Sequence, residues 1–123
     1  MTSARSRDFL SSWRISAVAY GLPTAAIAIA GVLPIGDPTC AGVWSVACLA
    51  MAGACFANAR RCGRVHCYFT GPFFLVVALV AALLGVGLVP PSASAWNVLG
   101  AVLVGGATLL IVLPERIVGK YRD

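Results

Sequence analysis

The sequence predicts an all-α membrane protein of four transmembrane helices with both termini in the cytoplasm. Three observations carry this. Of 123 residues, 60% are apolar and 11% charged, against roughly 45–50% and about 25% in a soluble domain. The apolar residues gather in four runs of spanning length. All nine basic residues then fall on one side of the chain. The length allows one domain, so residues 1–123 form a single four-helix unit. The same composition excludes an ordinary soluble globule, a disordered tail and a nucleic-acid module. The net charge of +5 reports topology, not a nucleic-acid partner. The partner is the lipid bilayer.

The first run is 15–33, with Pro23 inside it. It starts late, is long and is followed by three more, so it is not read as a cleavable signal peptide. The second run, 41–57, contains no charge. The third is 73–89 and the fourth 95–113. Each has 17 to 19 residues, and a spanning helix needs about 20, within roughly 17–25. None has the polar face of a soluble surface helix. Period-2 alternation is absent, which argues against a membrane β-barrel. Pro and Gly punctuate the connections 34–39, 58–72 and 90–94.

The charges fit four spans and no other count. Arg5, Arg7 and Arg14 precede the first span. Arg60, Arg61 and Arg64 lie in the middle connection, and Arg116, Lys120 and Arg122 follow the fourth. Short basic segments stay cytoplasmic, so both termini and loop 58–72 face the cytoplasm of a bacterial inner (plasma) membrane. Trp13, Trp44 and Trp96 lie near span ends, where they are expected as interfacial anchors.

All five cysteines and the one histidine lie between Cys40 and Cys67. Cys48 and Cys55 are seven apart, so about 20° apart around a helix and ~10 Å along it. Met51 lies between them on much the same face. Cys40 is rotated by about 80° from Cys48 and fits less well. The result is a line of soft donors, which select Cu(I), Hg(II)-like and Zn(II) cations over hard ones. Steps of ~10 Å are too long for direct handover on one helix. A second protomer of a homo-oligomer, another helix or a moving chain must bridge them. Packing is the competing use of these sulfurs, because Cys is small and apolar and span interfaces favour small residues.

In loop 58–72, Cys62 and His66 are spaced i, i+4 and can share a helical face. Cys67 adds a third ligand, and Cys55 a fourth, giving a Cys3His set. Arg60, Arg61 and Arg64 supply positive charge. The next helix, capped by Thr70 or Gly71 with Pro72 in its first turn, points its positive end at the loop. Both favour the thiolate, the form that binds metal. A cytoplasmic site argues against a permanent Cys62–Cys67 disulfide.

With these membrane cysteines and this Cys62/His66/Cys67 loop, the chain resembles the bacterial mercury-resistance membrane transporters. The resemblance implies Hg(II) as cargo. It implies Cys48 and Cys55 in the role of the membrane pair, and Cys62 and Cys67 in that of the cytoplasmic pair. The partner would be a cytoplasmic thiol protein or reductase that accepts the metal. The family sets its membrane pair in the first span, which here carries no cysteine.

The leading expectation is a carrier or importer of a soft cation, Hg(II) first, with Cu and Zn as alternatives. It holds no permanent cofactor and is not an enzyme. The runner-up is a membrane thiol oxidoreductase of the four-helix type. The third is an accessory subunit without chemistry, packed through pairs such as Ala50/Ala54 and Gly53/Ala57. No acidic residue lies within any of the four runs, which argues against carboxylate-based proton coupling.

Overall fold

The computed structural model describes residue 8, residues 12–90 and residues 92–119, without the side chains of Cys62 and Ala93. Every element among them is helical. Arg5, Arg7, Lys120 and Arg122, expected on the cytoplasmic side, lie outside the described residues. Four helices are long and apolar enough to cross a membrane. They are α1 (Trp13–Val32), α2 (Asp37–Cys62), α3 (Val65–Gly85) and α4 (Ala93–Ile117).

α1 is not uniform. Ala17–Gly21 forms a π-helical turn just before Pro23. Proline has no N–H for the carbonyl one turn back, and a wider turn is one way a helix absorbs that loss. α2 starts from Gly36 at φ 78°, with Asp37 and Pro38 in its first turn. An acid and a proline both suit a helix N-terminus. α4 is capped by Ser92, whose Oγ accepts from the Ala95 N–H at 3.0 Å.

The middle connection differs most from expectation. Of loop 58–72, all but Gly63 and Arg64 is helical. α2 runs past 57 to Cys62. Gly63 then closes it in the left-handed region at φ 68°, ψ 31°, with its N–H on the Ala59 carbonyl. Glycine adopts this conformation without a Cβ penalty. Arg64 is extended, and α3 begins at Val65 rather than at 73. Pro72 therefore sits inside α3, not in its first turn. It removes one backbone hydrogen bond, but a helix already started at Val65 continues through it. Spanning helices tolerate such a proline when neighbours satisfy the backbone. Cys62 and His66 thus stand on two helices, and the shared face expected from their i, i+4 spacing does not form.

α2 and α3 make the core. Within their spanning windows 44% of residues are buried, against 11% in α1 and α4. The inward stripe of α2 is Trp44, Cys48, Met51, Cys55 and Ala59, and α3 answers with Cys67, Phe74, Val77, Ala81 and Leu84. Small residues set the approach. A Cβ on Gly85 would collide with that of Ala41. Ser45 Oγ donates to the Ala78 carbonyl across the interface at 3.0 Å. The Ala50/Ala54 and Gly53/Ala57 pairs lie outside this α2–α3 contact, since Ala50, Gly53 and Ala57 are exposed. Trp13 is 75% exposed, as an anchor would be, but Trp44 is 5% exposed and packs edge-on against Trp96 at 5.2 Å between ring centroids.

The Gly63 turn gives a direct test. Gly63→Val should lower thermal stability in detergent by ~1–2 kcal/mol, the strain of a left-handed residue bearing a Cβ. Gly63→Asn should lose less, because Asn visits that region more readily.

Candidate functional site: a buried thiol pair under an ionic clamp

The short turn folds the end of α2 against the start of α3 and brings Cys55 and Cys67 together. Both are fully buried, and their side chains lie within hydrogen-bonding reach of each other. Three helices complete the setting. Tyr20 Oη, delivered by the π turn of α1, is 2.9 Å from Cys55 Sγ. Thr70 Oγ1 is 3.2 Å from the same sulfur. Thr70 donates its one proton to the His66 carbonyl at 2.9 Å, so at Cys55 it accepts the S–H. Tyr20 is then the donor to the Cys55 sulfur.

Around Cys67, Asn58 Nδ2 donates to Sγ at 3.9 Å, and His66 Nε2 lies 3.6 Å away. His66 Nδ1 meets Glu115 Oε1 at 2.5 Å. A carboxylate only accepts, so Nδ1 carries a proton and the Nε2 of a neutral ring is free to accept from the Cys67 thiol.

Above the thiols one guanidinium joins two carboxylates. Arg64 Nη1 donates to Asp8 Oδ2 at 2.8 Å and Nε to Glu115 Oε1 at 3.0 Å. Asp8 Oδ1 also accepts from Asn58 Nδ2 at 2.7 Å. The clamp ties a residue preceding α1, the α2–α3 turn and the end of α4 over the dithiol. Asp8 is buried, and Arg64 and Glu115 are largely so, which makes these contacts more than surface pairs.

The expected site residues divide as follows. Cys55, His66 and Cys67 are brought together. The side chain of Cys62 lies outside the described residues. Cys48 and Met51 are buried on the same stripe of α2 but one to two turns away. Cys40 is buried at the other end of α2, fifteen residues and ~22 Å from Cys55. Arg60 and Arg61 are exposed. Arg64 faces carboxylates rather than thiolates. Among the described residues, no three His, Cys, Asp or Glu side chains converge to hold a metal ion. A pair with a flanking histidine stands where the sequence suggested a four-ligand cage. Tyr20, Asn58, Thr70, Asp8 and Glu115 are members the sequence reading did not select as site residues. Two of them carried a signal: acids are rare here, four in all, and Glu115 sits among basic residues.

No family model, curated protein or solved structure matches this chain.

Opening of the clamp is measurable. Arg64→Ala leaves the buried Asp8 carboxylate without its guanidinium. Alkylation of Cys55 and Cys67 by a charged, water-soluble maleimide should then rise on the order of tenfold, equivalent to ~1.4 kcal/mol. Arg60→Ala should leave it unchanged.

Proposed function

We propose that the chain is a bacterial inner-membrane carrier of a soft, thiophilic cation, Hg(II) first, with Cys55 and Cys67 as its ligand pair. Both termini face the cytoplasm in this reading. Arg14, Arg60, Arg61, Arg64 and Arg116 all lie at the helix ends nearest the dithiol, as basic cytoplasmic segments should. The metal-accepting end is then the cytoplasmic one, and a cytoplasmic thiol protein or reductase takes the ion onward.

One observation carries the reading: two fully buried thiols from different helices meet with uncharged hydrogen-bonding groups around them. Two thiolates neutralise a divalent cation and suit the linear two-coordination of Hg(II). Zn(II) asks for four ligands in a tetrahedron, so the alternatives narrow to Hg(II) and Cu(I). Thiolate softness gives the selection against hard ions. His66 is placed to receive a proton displaced from Cys67.

Purified protein in detergent should bind one Hg(II) per chain, seen as sulfur-to-mercury charge-transfer absorption. Cys55→Ser or Cys67→Ser should abolish the band and the mercury hypersensitivity of expressing cells. Retention of both in the double variant would sink the carrier reading. The same contact between the thiols also serves the alternative, a membrane thiol oxidoreductase. Thiol trapping decides, since a stable oxidised Cys55–Cys67 population in a reducing cytoplasm belongs to the enzyme.

A further inference from the structure

α1 and α4 do not pack closely on one another. Between them is a cleft of about 640 Å³, walled in part by Tyr20, Thr24, Trp44, Met51, Asn97 and Thr108, with no charged residue among the described residues of its lining. At its far end from the dithiol a smaller pocket of about 210 Å³ holds Asp37 and Cys40. The two spaces adjoin, for Gly31, Trp44, Trp96 and Asn97 line both. At the near end stands Tyr20, whose hydroxyl touches Cys55. The indole N–H of Trp44, a residue of the shared wall, is buried and has no hydrogen-bond partner among the described residues. A buried donor left unmatched is uncommon, and it suits a guest that brings an acceptor.

We propose that this cleft is the passage and transient binding site through which the cargo reaches Cys55 and Cys67, and that it admits the soft cation as an uncharged complex with two small anionic ligands. The inference rests on the carrier reading above. An uncharged wall excludes a bare divalent ion, whose desolvation nothing there offsets. A neutral complex avoids that penalty, and its anionic ligands accept hydrogen bonds from Trp44, Asn97 and the Thr24 hydroxyl, the Thr108 hydroxyl being spent on the Val104 carbonyl. Met51 offers a thioether, a soft donor on the way. At the dithiol the exchange balances without oxidation. Two metal–ligand bonds break, two metal–sulfur bonds form, and the two thiol protons leave with the two displaced anions.

The test is the rate of mercury loading in lipid nanodiscs, followed by stopped-flow absorption of the sulfur–mercury band. Ala28 on α1 and Ala107 on α4 line the cleft. Ala28→Phe and Ala107→Phe should slow loading roughly ten- to hundredfold while the final stoichiometry matches wild type. That stoichiometry also shows that the variants fold. A second arm needs no mutation. Mercury bound by two mercaptoethanol ligands is uncharged, and mercury bound by two mercaptoacetate ligands is doubly negative. The first should load wild-type protein faster. Wild-type rates in both Phe variants would overturn the passage, as would a filled cleft without effect beside faster loading in Arg64→Ala. Equal rates for the two complexes would overturn the uncharged cargo. A Cys55→Ser, Cys67→Ser protein that still loads fully strikes the dithiol reading instead, whatever the cleft does.

Discussion

The Gly63–Arg64 turn is the constraint on which the rest depends. Two residues reverse the chain, which forces the last turns of α2 and the first turns of α3 into contact. Cys55, Asn58, His66, Cys67 and Thr70 become one buried group for that reason alone. Gly63 supplies the left-handed conformation, and Arg64, next in line, points its guanidinium between Asp8 and Glu115. Removing one partner of a buried ion pair costs about 3–5 kcal/mol, because a charge is stranded. The turn is therefore held from both sides: by backbone geometry below, and by a cation that is unfavourable to release above.

The thiols themselves sit among neutral groups. Tyr20, Thr70, Asn58 and His66 each reach a sulfur, and the charges lie one shell further out. A buried pair of thiols is tolerated because its S–H groups and lone pairs are matched by hydroxyl, amide and ring nitrogen. Two thiolates without a cation would not be, since like charges in a low dielectric repel strongly. In the carrier reading, deprotonation of the pair is therefore coupled to arrival of a positive ion. In the carrier reading this makes the reduced pair a receptive state and the loaded pair an electrically neutral one.

Much of this was legible in the sequence, though unevenly. Four apolar runs yielded four helices, since composition and length alone decide that a segment is long and apolar enough. The concentration of sulfur and the sole histidine in 40–67 pointed to the right end of α2. In the middle connection Pro72, which favours a first turn, is the louder local signal, yet Gly63 in the left-handed region is where the helix stops. With that boundary at Gly63, Cys55 and Cys67 come together, while the side chain of Cys62 lies outside the described residues. Tyr20 was illegible because its contact spans 35 positions and is aimed by a π turn. Asp8 and Glu115 are acids among basic residues near the two ends of the sequence. Only tertiary structure shows that Arg64 needs both.

The same scarcity of acids explains the shape of the bundle. α4 buries little of its surface, yet it is fastened at both ends. Glu115 is held by Arg64 and His66 beside the dithiol. At the opposite end, the Trp96 indole donates to Asp37 at 2.9 Å, tying α4 to the start of α2. In an apolar surrounding, polar contacts of this kind are what distinguish one helix arrangement from another, because lipid competes equally well for apolar faces. A helix pinned by its ends has no need of close contact along its middle. The stretch of α4 between those fastenings is thus free to stand off from α1, and the cleft with Trp44 and Tyr20 in its walls is the space that this arrangement leaves.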